Sequence, residues 1–225
     1  MVDAPRQPVE TMGASLFPPW SNTAFRVALI ALAFGFTSVI VGPMVYARSP
    51  FATGASEPLL QPIAFDHRHH VKDDGIDCLY CHENAERGPY AGVPETNRCM
   101  GCHAQIWNDS ATLAPLRASA RTDRPIRWQR VHSLPDFVYF DHSIHVTRGI
   151  GCVTCHGKVD EMAAVYQTVP MTMQWCVDCH RDPTPHLRPR DQITSTSWQP
   201  TPGVLAQLAA EYEPRILTHC STCHR

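Results

Sequence analysis

Five copies of the motif Cys-x-x-Cys-His occur in this 225-residue chain, and together they use all ten of its cysteines. Numbered 1 to 5 in chain order, the motifs are Cys78-Cys81-His82, Cys99-Cys102-His103, Cys152-Cys155-His156, Cys176-Cys179-His180 and Cys220-Cys223-His224. This spacing is typical of covalent haem attachment, in which two thiols add to the porphyrin vinyl groups and the histidine supplies one axial ligand to the iron. The sequence therefore predicts five haem c groups, each with its motif histidine as the proximal ligand.

Two other uses of paired cysteines explain the pattern less well. Ten cysteines can form five disulfides in an exported protein, but disulfides do not require a histidine after every second cysteine. Zinc ribbons use Cys-x-x-Cys pairs two at a time, and the number of pairs here is odd.

Composition favours a loop-rich fold built around porphyrins. The chain has 20 prolines, 12 glycines and only 8% aromatic residues, and no stretch alternates between apolar and polar residues as a strand would. We expect a multihaem cytochrome c fold that is mostly irregular, with short α-helices that include residues 204–212 and 111–120. The net charge of −2 gives no reason to expect binding to nucleic acid.

One uncharged stretch, VALIALAFGFTSVIVGPMVYA at residues 27–47, is long enough to cross a bilayer as a helix. A cleaved signal peptide is the alternative, but its apolar region is usually shorter and ends in a small-residue cleavage site. We therefore predict a cytoplasmic segment over residues 1–25, a transmembrane signal anchor over 26–48, a proline-bearing linker over 49–62 and a haem domain over 63–225.

The predicted haems also give the orientation of the chain. Because c-type haem is attached on the outer side of an energy-transducing membrane, we expect residues 63–225 on the periplasmic side of a bacterial cytoplasmic membrane that the chain crosses once. The arginines that flank the apolar stretch add only a weak positive-inside signal.

The haem domain contains an internal repeat. Phe65-x-His67-x-x-His70 precedes motif 1, and Phe140-x-His142-x-x-His145 precedes motif 3 at almost the same distance. Each segment is followed by two motifs, so we predict repeat units over about 63–131 and 132–185, with the fifth haem site added at the C-terminus.

Eight histidines remain to supply distal iron ligands. Histidines three residues apart lie near one face of a helical turn and can serve two different haems, so we predict that each repeat segment clamps a pair of haems. The predicted distal ligands are His67, His70, His132, His142 and His145. Met171 or Met173 just before motif 4, and His69, His186 or His219, remain open as alternatives for the fifth ligand.

Five distal candidates for five irons leave no vacant coordination position, which favours an electron carrier over an enzyme. We therefore expect no catalytic residues and no catalytic site in this chain.

The sequence resembles the class III and c7-type multihaem cytochromes, and more closely the pentahaem cytochrome c subunit of alternative complex III. The segments that carry the likeness are PIAFDHRHH, GIDCLYCHENAE, GVPETNRCMGCH, RVHSLPDFVYFDHSIHV, GCVTCHG, MQWCVDCHR and CSTCHR. It extends over about residues 23–225 and includes the single N-terminal membrane helix.

The resemblance implies a subunit of a bacterial quinol oxidoreductase. Such a subunit conducts electrons from an iron–sulfur subunit toward a monohaem cytochrome c subunit or another periplasmic acceptor, while polytopic membrane subunits bind the quinol. It also implies iron ligation by the five motif histidines and strengthens His132 as a distal ligand. The alternative is a self-contained, membrane-anchored multihaem quinol dehydrogenase that feeds periplasmic reductases. In such proteins the first haem motif follows the helix closely, whereas here a linker intervenes.

Overall fold

The structure is a computed structural model and describes residues 16–225. Residues 1–15 of the predicted cytoplasmic segment lie outside the described residues. The chain divides into one unit that ends at Ala47 and a second formed by Arg48–Arg225.

The first unit contains the long helix α1, Ser21–Arg48. Its start is fixed by Ser21, whose hydroxyl donates a hydrogen bond of 2.7 Å to the Pro18 carbonyl, and it begins slightly before the predicted boundary at residue 26. With 28 residues and a mean hydropathy of 2.1, the helix is long and apolar enough to cross a membrane. Pro43 lies near its C-terminal end, where the loss of one backbone hydrogen bond is tolerated.

The second unit is built from short helices joined by irregular segments. Two of these helices end shortly before a proline, Pro183 or Pro214, and two end at a glycine, Gly54 or Gly157. The α-helices are α2 (Pro50–Thr53), α3 (Cys78–Cys81), α4 (Thr96–His103), α5 (Ala114–Thr122), α6 (His142–Thr147), α7 (Val153–His156), α8 (Met173–Arg181), α9 (Val204–Tyr212) and α10 (Cys220–Cys223). A π-helical turn covers Arg68–Asp73, and 3₁₀ turns cover Glu83–Glu86, Ala111–Leu113, Val159–Glu161, Thr184–His186 and Arg190–Gln192.

Across residues 16–225 no β-strand forms, as the sequence predicts. The extended contacts there are two isolated bridges, Ala55 with Gln167 and Ile150 with Leu187. The predicted helix over residues 204–212 is α9, and the predicted helix near 111–120 is a 3₁₀ turn that continues into α5.

The segment predicted as a linker, 49–62, has local structure of its own. The Ser49 hydroxyl caps α2 by accepting a hydrogen bond from Ala52, and Gly54 ends the helix in a left-handed conformation with φ of 68°. Ala55 is then buried at its bridge with Gln167. Residues that are distant in sequence therefore order the start of the second unit.

Buried apolar side chains form three small clusters in the described part of the chain, not one continuous core. The clusters centre on Ile63, Leu113 and Leu116; on Ala85, Val146 and Ile193; and on Leu187, Leu208 and Tyr212. Cys99 packs against the first cluster and Cys152 against the second. The apolar contacts thus lie beside the motifs, which suits a fold whose remaining core is porphyrin.

Candidate haem-binding sites

Each motif lies on or at the end of a short helix, so its two cysteines project from one face. Residues three apart on a helix have Cβ atoms about 5–6 Å apart, which lets both thiols reach one porphyrin edge. Asp77 starts α3 by accepting a hydrogen bond of 2.8 Å from the Leu79 amide, and Thr172 starts α8 by accepting one from Trp175. Side-chain caps therefore position motifs 1 and 4.

None of the ten cysteines is joined to another in a disulfide, so the structure offers no disulfide framework. Among the described residues no three histidine, cysteine, aspartate or glutamate side chains converge as they would around a zinc ion. Burial raises the pKa of Cys155 to about 12, and it also raises the pKa of Cys81, Cys99 and Cys176.

Three of the predicted proximal histidines are oriented by backbone carbonyls. Nδ1 of His82 lies 2.7 Å from the Gly92 carbonyl oxygen, Nδ1 of His103 lies 3.0 Å from that of Ile106, and Nδ1 of His224 lies 3.1 Å from that of Phe137. Because a carbonyl only accepts, Nδ1 must carry the proton, and Nε2 keeps its lone pair for a metal. This is the usual arrangement of a metal-binding histidine.

Three of the five predicted distal histidines are held in the same way. Nδ1 of His70 lies 2.9 Å from the Asp66 carbonyl, Nδ1 of His145 lies 2.7 Å from the Asp141 carbonyl, and Nδ1 of His142 lies 2.8 Å from the Pro89 carbonyl. In each case Nε2 is left as the free acceptor.

The two repeat segments have matching geometry. The Phe65 ring stacks on His70 at 4.3 Å and meets His67 edge-on at 4.7 Å, while the Phe140 ring stacks on His145 at 4.5 Å and meets His142 edge-on at 4.7 Å. A phenylalanine at the start of each segment thus fixes two histidine rings by aromatic packing.

Three of these distal rings face proximal rings at one characteristic distance. The ring centroids are 6.1 Å apart for His70 and His103, 6.0 Å for His145 and His180, and 6.3 Å for His142 and His156. An iron between two imidazole nitrogens separates ring centroids by roughly 6 Å, since each metal–nitrogen bond is about 2 Å long and each ring adds about 1 Å. The three gaps therefore have the size that motifs 2, 4 and 3 need for a doubly histidine-ligated haem iron.

His67 is the counterpart of His142 by its place in the repeat. Its Nδ1 is buried and has no hydrogen-bond partner. Burial, and after it the neighbouring His82, lowers the pKa of His67 to about 4. A buried, neutral imidazole beside the motif 1 histidine has the protonation state that a metal ligand requires.

His132 occupies a different position from the other distal candidates. Its ring centroid lies 4.3 Å from that of His156, which is too close for an iron between the two rings, and its Nε2 is buried without a partner. The pKa of His156 is lowered to about 3, mainly because the ring is buried and secondly because His132 lies next to it. In the described chain the His224 ring stacks on Phe137 at 5.9 Å and no second histidine ring faces it. The structure therefore brings His132 to motif 3, not to motif 5.

Three of the five alternative ligands, His69, Met171 and Met173, differ in their surroundings. The His69 ring stacks on Trp107 at 5.4 Å, lies near the carboxylates of Asp73 and Asp74, and meets the His70 ring edge-on at 5.4 Å. Met171 is half-buried in a left-handed conformation with φ of 47°, while the Met173 side chain is 71% exposed. The sequence motifs gave no signal for these differences in placement.

Comparisons with known proteins agree with this geometry. Residues 138–225 match the family model of cytochrome c7 and related cytochrome c. The multihaem cytochrome c subunit of a menaquinone reductase from Nitratidesulfovibrio vulgaris is 35% identical over 129 residues, which are 57% of this chain. The chain spans a little over half, 55%, of the length of that relative. The chain thus has a cytochrome c7-like multihaem fold with one apolar N-terminal helix, and its cofactor is haem c.

Proposed function

We propose that this chain is a membrane-anchored pentahaem cytochrome c that conducts electrons as a subunit of a quinol oxidoreductase of the alternative complex III type. Electrons pass from an iron–sulfur subunit toward a monohaem cytochrome c subunit or another periplasmic acceptor, and polytopic membrane subunits bind the quinol. The single transmembrane helix α1 anchors the chain, with its haem domain on the periplasmic side.

The observation that carries this proposal is the set of three facing histidine pairs with centroid distances of 6.0–6.3 Å. With a histidine on each side, these residues would hold an iron with no position left for a substrate, and that iron would supply one-electron redox chemistry. We assign His67 opposite His82 by the repeat, whereas His132, whose ring lies beside that of His156, is assigned to no iron.

The residues of this chain hold, orient and bury the cofactors. Haem c supplies one-electron redox chemistry at iron. The ten motif cysteines fix the porphyrins, and the carbonyl partners of His82, His103 and His224 hold those rings in one tautomer. A hydrogen bond to Nδ1 raises the basicity of the ligand, so these carbonyls also adjust the iron potential.

A second candidate is a subunit of a menaquinone reductase, in which electrons move from periplasmic donors to the quinone. The multihaem subunit from Nitratidesulfovibrio vulgaris, named for such an enzyme, favours it. Both candidates make the chain an electron carrier between a periplasmic partner and a quinone-binding membrane partner. They differ in the direction of net electron flow and in the partner subunits.

Purification from membranes in mild detergent, with mass spectrometry of the co-purifying proteins, tests the proposal. An iron–sulfur subunit, polytopic membrane subunits and a monohaem cytochrome c, together with quinol-dependent reduction of the haems, are the expected result. Haem reduction by a periplasmic donor followed by menaquinone reduction establishes the second candidate instead. A red protein that purifies alone and accepts electrons directly from a quinol refutes both and establishes a self-contained quinol dehydrogenase.

A further inference from the structure

We propose that the guanidinium of Arg188 is a fixed positive charge beside motif 3 that raises the reduction potential of the haem bound there. Arg188 acts on this haem through its charge and not as an iron ligand. This role rests on the proposed function, because it requires a haem at motif 3. Four features of the structure support it: the position of the Arg188 backbone, the space above Gly151, the partners of the guanidinium and the lack of a counter-ion.

An isolated bridge brings the backbone of Arg188 to the turn before motif 3. Ile150 pairs with Leu187 in antiparallel orientation, and the Arg188 amide donates a hydrogen bond of 2.8 Å to the Gly149 carbonyl. Leu187 is 1% exposed and lies in the buried cluster with Tyr212, whose hydroxyl donates a hydrogen bond of 3.1 Å to the Arg188 carbonyl. Both backbone polar groups of Arg188 are therefore satisfied, and the residue is fixed beside this turn.

Gly151 gives the Arg188 side chain room to lie against the start of motif 3. A Cβ added at Gly151 overlaps Cδ and Nε of Arg188, so no larger residue fits without moving the arginine. Gly151 does not have a positive φ, so space and not backbone conformation calls for glycine here. The equivalent position before motif 1 holds Asp77, whose carboxylate caps helix α3. The repeat thus has a capping carboxylate at motif 1 and an overlying arginine at motif 3.

The far end of the Arg188 side chain is also held. Its Nη1 donates a hydrogen bond of 2.6 Å to the Ser195 carbonyl, and its Cζ lies 5.3 Å from the centroid of the Trp198 ring. The Ser195 hydroxyl accepts a hydrogen bond of 3.1 Å from the Trp198 amide, which joins the two partners to each other. The face of an indole ring attracts a guanidinium. The positive charge is therefore kept in one place, half-buried, beside the residue that precedes Cys152.

The charge of Arg188 has no carboxylate partner. Arg68, Arg98 and Arg181 form ion pairs with aspartate or glutamate at 2.7–3.0 Å, whereas within residues 16–225 no acidic side chain pairs with Arg188. Burial lowers the pKa of Arg188, and the neighbouring Cys152 acts in the opposite direction. The guanidinium still stays charged, because arginine is not deprotonated in proteins. A half-buried charge of this kind favours any neighbouring group that gains an electron.

Reduction of a haem adds one electron, so the reduced form carries one more negative charge than the oxidised form. A nearby positive charge stabilises the reduced form and raises the potential, and burial limits the screening of this attraction by salt. For two unit charges about 12 Å apart at an effective dielectric constant of about 20, Coulomb's law gives roughly a tenfold change in the ratio of reduced to oxidised haem. For a one-electron couple, this change corresponds to a shift of about 59 mV.

Redox titration of the purified full-length protein with its haems bound tests this role. Arg188→Gln removes the charge and is expected to lower the potential of one haem by about 59 mV, while Arg188→Lys keeps the charge and should retain most of the wild-type potential. Arg190→Gln is the matched control, because it removes the same charge two residues away from an exposed side chain that water and salt screen. It should leave all haem potentials close to those of the wild type.

A variant without the haem of motif 3 assigns the effect to one haem. In Cys152→Ser/Cys155→Ser protein, the further change Arg188→Gln should shift no potential. A shift that persists in this variant places the charge beside another haem and overturns the role.

Two other results overturn the role. One is an Arg188→Gln protein with wild-type potentials. The other is a fall in Arg188→Lys as large as that in Arg188→Gln, because it shows an effect of side-chain shape and not of charge. Arg188→Met keeps apolar packing on Gly151 and Trp198 while it removes the charge, and it gives the same test if Arg188→Gln binds less haem than the wild type.

The titration does not depend on partner subunits. If Cys152→Ser/Cys155→Ser protein has the same haem content as the wild type, no haem is bound at motif 3, and the proposed pentahaem function is refuted. A haem at motif 3 whose potential does not respond to the charge at residue 188 refutes the role of Arg188 alone.

Discussion

Gly149 occupies the turn that connects α6, with its two candidate distal histidines, to motif 3. Its φ is +82°, in the left-handed region that disfavours side chains. A Cβ added there lies 2.5 Å from Cε2 of the buried Tyr212 ring. We predict that Gly149→Ala destabilises the domain by about 3.5 kcal/mol, of which about 1.5 kcal/mol is backbone strain and about 2 kcal/mol is overpacking.

Thermal unfolding followed by circular dichroism measures this loss. For a domain of this size we expect Tm to fall by roughly 7–14 °C. Gly75→Ala is the matched control, because Gly75 has a φ of +68° but an added Cβ there meets no atom within 4 Å. Gly75→Ala therefore loses stability through backbone strain alone, and we expect its Tm to fall by roughly 3–6 °C.

Repeating the Gly149→Ala substitution in a Tyr212→Ala variant separates the backbone strain at Gly149 from the overpacking. In Tyr212→Ala protein the ring that opposes the new methyl group is gone, so the effect of Gly149→Ala should shrink to that of Gly75→Ala. Equal losses for Gly149→Ala in the wild-type and Tyr212→Ala backgrounds refute the packing argument. The same result contradicts the close approach of α9 to the turn before motif 3.

Three further perturbations address the cofactors and the anchor. Cys155→Ser combined with Cys152→Ser should lower the haem content by one, measured from the pyridine haemochrome spectrum against protein concentration; unchanged content contradicts attachment at motif 3. His145→Met should raise the reduction potential of one haem, whereas the control His69→Met should leave all haem potentials unchanged. A changed haem potential in His69→Met protein contradicts the placement of the His69 ring beside Trp107. Phe34→Arg in the middle of α1 should weaken membrane insertion by about 3 kcal/mol, measured as the fraction of protein in washed membranes; full retention argues against a spanning helix.

Local sequence patterns predicted much of the fold. The five motifs and the proline-rich composition predicted a strand-poor multihaem fold, and this prediction is confirmed. Helix α9 has the predicted bounds, Val204–Tyr212, because Gly203 starts it and its apolar residues recur at helical spacing. The repeated phenylalanine also sets ring contacts that agree between the two copies to within about 0.2 Å, well inside the reach of aromatic packing.

Contacts between distant residues were beyond the reach of sequence patterns. Nothing near Cys78 or Cys152 indicates that Ile193 and Thr194 bring these cysteines together. His132 was predicted as a distal ligand from its place just before the second repeat unit, yet its ring lies beside that of His156, at a centroid distance of 4.3 Å. Such placements depend on packing between repeat units, for which a single sequence carries no periodic signal.

Near-infrared magnetic circular dichroism of the oxidised, purified protein tests the central claim most directly, because it distinguishes iron with two histidine ligands from iron with histidine and methionine. The facing pairs at motifs 2, 3 and 4 predict a low-spin, doubly histidine-ligated signal that accounts for at least three haems per chain. A signal that accounts for fewer than three contradicts the assignment of His70, His142 and His145 as axial ligands.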